Sequence, residues 1–64
     1  MAMELNEIET FITINQVGGF SKAATILHLS QPAISRRIDL LERELGAPLF
    51  ERLPFNRVFL AHHV

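Results

Sequence analysis

Between Ser30 and Gly46 the chain reads Ser-Gln-Pro-Ala-Ile-Ser-Arg-Arg-Ile-Asp-Leu-Leu-Glu-Arg-Glu-Leu-Gly, and this stretch carries the side chains best suited to recognition. Gln31 has an amide that donates and accepts at once, Ser35 adds a hydroxyl, and Arg36 adds a guanidinium with a fixed fork of donors. These groups suit hydrogen bonding rather than bond making. Their complements are the donor and acceptor edges of nucleic-acid bases and the oxygens of phosphates. Residues for catalysis or metal binding are scarce. His28, His62 and His63 are the only imidazoles, the chain has no cysteine, and the adjacent His62 and His63 point apart in a helix or a strand. No catalytic residue, no metal site and no cofactor is expected, and hence no enzyme.

A recognition surface needs a rigid support. Ser30 suits a helix N-cap, Pro32 a first turn, and Gly46 followed by Pro48 a stop, so residues 31–45 are predicted to form one helix. Ile34, Ile38, Leu41 and Leu45 recur at helical spacing within a narrow arc that faces a core, with Pro32, Arg36, Asp39 and Arg43 on the opposite side. Upstream, a first helix is predicted over about residues 4–17. Its core side is expected to hold Leu5, Ile8, Phe11 and Ile12, with Ile14 and Val17 off that stripe, so that neighbours contact it on more than one side. Its early glutamates suit the positive end of the helix dipole, and Gly18-Gly19 ends it. A second helix, about residues 20–28, places Phe20, Ala23, Ala24 and Leu27 at i, i+3, i+4 and i+7, with Gly19 or Ser21 as its cap. Ala24 is small enough for the next helix to cross closely. Only His28 and Leu29 then precede Ser30, which makes a tight helix-turn-helix, a unit whose second helix commonly enters the major groove of DNA.

After Gly46, Leu49 to Arg52 and Arg57 to Leu60 are two β-prone runs around Pro54-Phe55-Asn56, a hairpin or wing over about residues 49–60. The expected fold is mainly α: a three-helix winged helix-turn-helix with a short C-terminal β-hairpin wing, one domain spanning residues 1–64. At 64 residues such a domain buries only about 60% of its unfolded surface, which leaves little room for a small-molecule site. Without cysteine there is no disulfide framework. No apolar run approaches the roughly 20 residues of a membrane span, and no basic-then-apolar leader opens the chain, so no membrane association and a cytoplasmic location are expected. The net charge of −1 argues against a protein that coats nucleic acid indiscriminately. Distribution matters more than the sum, because Glu4, Glu7 and Glu9 gather at the start while Arg36, Arg37, Arg52 and Arg57 come later.

Four blocks in order, Gly18 to Ala24, Leu29 to Arg36, Leu41 to Gly46 and Leu49 to Arg52, resemble the N-terminal DNA-binding domain of LysR-type transcriptional regulators. The resemblance covers about residues 3–60 and implies a winged helix-turn-helix that binds double-stranded promoter DNA to regulate transcription. Two departures stand out. Gly19 occupies a position where the family usually has serine, which removes a hydroxyl near the DNA backbone. Leu60 is followed by Ala-His-His-Val, where the family continues into a linker helix that mediates dimerisation. That helix and the effector domain beyond it are therefore expected to be absent from residues 1–64, with the parent protein a homo-oligomer through the missing helix.

The expected DNA-binding set is Ser21, Lys22, Ser30, Gln31, Pro32, Ala33, Ser35, Arg36, Arg37, Arg52 and Arg57. Gln31 suits an adenine edge, and Pro32 and Ala33 suit thymine methyls, although Pro32 serves equally to start the helix. Ser35 and Arg36 suit phosphates or a guanine edge, and Ser21 and Lys22 sit where a helix N-terminus favours an anion. Arg52 and Arg57 flank the wing turn. Arg37 borders the core face and could as easily pair with an acid of another helix. Arg43 has Asp39 four residues before it, an arrangement that favours a surface ion pair. A competing reading is a protein-interaction module that pairs with a full-length regulator without holding DNA itself, as the negative net charge would allow.

Overall fold

Each helix end is set by a local device. The computed structural model describes residues 4–54 and the backbone of residues 58–60, in the order α1 (Leu5–Val17), α2 (Phe20–Leu27), α3 (Gln31–Leu45), β1 (Phe50–Arg52) and β2 (Val58–Leu60). α1 stops at Gly18, whose φ of 76° lets its N–H reach the Ile14 carbonyl at 2.7 Å. α2 starts from Gly19 in an extended conformation, so the backbone glycine rather than Ser21 holds the cap position. It ends at His28, a non-glycine residue with φ 58°. A left-handed residue with a Cβ costs about 1–2 kcal/mol. Here it turns the chain sharply enough for Leu29 N–H to close on the Ala24 carbonyl at 2.9 Å and for Ser30 to begin α3. The Ser30 hydroxyl accepts from Ala33 N–H at 3.2 Å, Pro32 lies in the first turn, and Gly46 closes the helix with φ 74°.

The core forms where the three helices cross. Ile14, Ile34 and Ile38 are wholly buried, joined by Phe20, Ala23, Ala24, Leu41 and Phe50. Full burial of each isoleucine stabilises the fold by about 1.5–3 kcal/mol. α3 presents the apolar row that its spacing predicts, except that Leu45, at its last turn, stays 48% exposed. α1 departs further from expectation. Its buried residues are Glu7, Thr10 and Ile14, while Leu5 and Ile12, expected to face the core, are 80% and 48% exposed. The reason is that α1 is packed on by α2, α3 and β2 at once, which centres the contact on Ile14 instead of on the most apolar stripe. Thr10 tolerates full burial because its hydroxyl donates to the Asn6 carbonyl at 2.7 Å and accepts from Arg37.

The wing is anchored from both sides of its first strand. β1 pairs antiparallel with β2 in the register Phe50↔Leu60, Glu51↔Phe59, Arg52↔Val58. Phe50 points inward between Phe11, at 5.4 Å between ring centroids, and Phe20, at 6.2 Å and edge-on. Ahead of it, one carboxylate oxygen of Glu42 on α3 accepts from Leu49 N–H at 2.8 Å and Phe50 N–H at 3.4 Å. The Leu-Glu run of α3 therefore has a double duty: Leu41 fills the core while Glu42 holds the start of the strand.

Candidate nucleic-acid interface

With Ile34, Ile38 and Leu41 buried, Pro32, Arg36, Asp39 and Arg43 are left exposed along the opposite side of α3, as the spacing predicts. Gln31 stands exposed at the head of that helix, and its amide nitrogen donates to the Ser21 hydroxyl in the first turn of α2. A hydroxyl that accepts in this way still has its own proton to donate. Lys22 is exposed beside Ser21, Ser30 has its oxygen committed to the cap, and Ala33 is partly buried.

Arg52 reaches across from β1 to the same side. Its Nη2 donates to Asp39 Oδ1 at 3.1 Å and its Nη1 to Ser35 Oγ at 3.5 Å, while the guanidinium carbon lies 4.8 Å from the centroid of the Phe20 ring. One side chain thus binds α2, α3 and the wing together. The carboxylate that Arg43 was expected to use is taken by Arg52, because the strand brings a guanidinium directly over it.

Arg37 goes the other way. Expected in the DNA-binding set or else in a pair with an acid of another helix, it donates to Thr10 Oγ1 at 3.2 Å and to the Asn6 carbonyl at 3.5 Å, both on α1 and neither of them an acid. Its place at the edge of the core arc is what turns it inward. Arg57, His62 and His63 lie outside the described residues. Three contacts escaped the sequence: Ser21 with Gln31, Arg52 with Asp39, and Glu42 with the start of β1. Separations of 10, 13 and 7 residues leave no periodic trace, and only the docking of the elements creates them. Among the described residues there is no group of three His, Cys, Asp or Glu able to hold a metal, and no helix long and apolar enough to cross a membrane.

Residues 5–61 match the family described as bacterial regulatory helix-turn-helix protein, lysR family. This chain belongs to the LysR family. Among its LysR relatives, the HTH-type transcriptional regulator YtlI of Bacillus subtilis is 58% identical over 50 residues, which is 78% of this chain and 16% of that protein. TfdT of Cupriavidus pinatubonensis, another HTH-type transcriptional regulator, is 46% identical over 50 residues, again 78% of this chain but 22% of the relative. The chain therefore spans less than a quarter of these regulators' length. Its fold is similar to that of the CbnR DNA-binding domain in a complex with DNA, with a TM-score of 0.86 and 37% identity over 92% of this chain and 67% of that one. The BenM DNA-binding domain in a complex with catB site 1 DNA gives 0.84 and 39%, over 92% and 65% of the two chains. The LysR winged helix-turn-helix is thus present across the helices and the first strand.

Proposed function

We propose that this LysR-family chain binds double-stranded promoter DNA sequence-specifically, with α3 in the major groove, and thereby regulates transcription. The observation that carries the reading is the exposed head of α3, where Gln31, Ser35 and Arg36 stand clear of a core that grips the helix from behind, with Arg52 on the same side. The likeness to two domains solved with DNA supports it. In this reading Gln31 reads a base, Pro32 and Ala33 lie against thymine methyls, and Ser35 and Arg36 meet a phosphate or a guanine edge. Ser21, Lys22 and Ser30 position the backbone from the helix N-termini, and Arg52 and Arg57 follow it along the wing. Arg37 is held on α1 through its Nη1, and its remaining N–H donors are left for the DNA backbone, as those of Arg52 are. The activity is binding, with no chemical step, in the cytoplasm, and the homo-oligomer that engages paired half-sites is the parent protein.

The test is fluorescence anisotropy with a labelled duplex at several low salt concentrations, comparing the parent chain with Arg36→Ala. The parent should bind with an affinity that falls as salt rises, and the variant should bind more weakly. A parent chain that binds no duplex at low salt, or an Arg36→Ala chain that binds as well as the parent, would overturn the proposal.

A further inference from the structure

An acid on a surface that meets phosphates is unfavourable by charge alone, yet Asp39 lies on the exposed side of α3 with Arg36 and Arg43. Folding stability does not account for it. The side chains of Asp39 and Arg52 remain 55% and 45% exposed, and ion pairs open to water to that extent add little to a fold. The geometry of Arg52 points elsewhere. Its long stem has many rotamers, and here the head is held at once by Asp39, by Ser35 and against the face of Phe20. The guanidinium has five N–H donors, so these contacts leave others free. Ser35 accepts from Arg52, which leaves the hydroxyl proton available to a second acceptor. Two donors, from Ser35 and Arg52, are thus set side by side before any ligand arrives.

We propose that Asp39 is a positioning residue for DNA binding: without touching DNA, its carboxylate holds Arg52 beside Ser35, so that an acid at the interface raises affinity for the phosphate backbone. The inference rests on the DNA-binding reading above. Fixing a flexible side chain in its bound arrangement removes an ordering cost that binding otherwise bears. If Asp39 acted only as a like charge facing phosphates, the effect of removing it would have the opposite sign.

The experiment compares the parent chain, Asp39→Asn, Arg52→Met and the double variant on a labelled mixed-sequence duplex at one low salt concentration. Methionine keeps an unbranched stem over Phe20 and removes the charge. Asp39→Asn should weaken binding by about two- to fivefold, the range that an exposed ion pair corresponds to, with an unchanged melting temperature. In the Arg52→Met background the same change should strengthen binding, because only repulsion from phosphates then remains. The proposal falls if Asp39→Asn strengthens binding or leaves it unchanged in the parent background, or if its effect is the same in both backgrounds. A parent chain that binds no duplex overturns the DNA-binding reading and this inference with it, and is told apart by that alone.

Discussion

Replacing Glu42 by alanine should damage the fold more than any change on the exposed side of α3. The Glu42 carboxylate accepts from two backbone N–H groups at the start of β1, at 2.8 and 3.4 Å. The shorter bond, to a charged acceptor in a partly buried setting, is worth about 1.5–3 kcal/mol, and the longer one adds little. Truncation also leaves the Leu49 and Phe50 N–H groups without that partner beside the core. A loss of about 2–3 kcal/mol is a large share of the whole, because at roughly 0.05–0.15 kcal/mol per residue a domain of this size has only about 3–10 kcal/mol. With about 4–8 °C of melting temperature per kcal/mol, the midpoint should drop by about 10–20 °C in a thermal unfolding scan followed by circular dichroism. Glu42→Gln keeps the length and one carbonyl acceptor, so its bonds become neutral ones worth about 0.5–1.5 kcal/mol, and its melt should fall between the two. An alanine variant that melts with the parent would show that the carboxylate does not hold the strand, and the reasoning would be refuted.

Ala24→Leu should unfold or misdock the domain, since Ala24 is only 6% exposed where α2 meets the core and overpacking costs about 1–3 kcal/mol; a chemical denaturation curve checks it, and an unchanged midpoint would mean that the crossing has slack. Gln31→Ala should cost about 1–3 kcal/mol on the best operator and flatten the preference at one base pair, which a panel of single-base operator variants at fixed salt would register. Ser35→Ala should weaken operator and random duplex by similar factors. A uniform loss with Gln31→Ala would move base reading to Arg36.

What was legible in the sequence was local. Ser30, Pro32, Gly18 and Gly46 act within one helical turn of themselves, so the end of α1 and both ends of α3 could be read from residue type alone, whereas the cap of α2 stayed open between Gly19 and Ser21. The two sides of α3 were equally plain, because an apolar row repeated over three turns has only one way to face a core. α1 was not. Its burial is decided by three neighbours at once, which placed Thr10 and Glu7 inside and left Leu5 and Ile12 at the surface. At the site, the exposure of Pro32, Arg36, Asp39 and Arg43 followed from periodicity, but the company they keep did not. Arg37 sits on the boundary between the two sides, and only the approach of α1 decides its direction. Arg52 pairs with Asp39 instead of leaving it to Arg43 because the strand folds back across α3, a fact of tertiary docking that no short window contains.

Phe50 has a consequence for how the molecule opens. Its ring is shared between Phe11 of α1 and Phe20 of α2, and the Leu49 N–H just before it is held by Glu42 of α3, so withdrawing the strand would uncover the centre of the domain. The first strand of a hairpin is usually among the elements that fray. Here it should behave as part of the slowest-exchanging unit: the Leu49 and Phe50 amide protons should exchange with deuterium only as often as Ile34 and Ile38 do, through global unfolding. Arg52 is then carried on a segment as steady as the helix beside it.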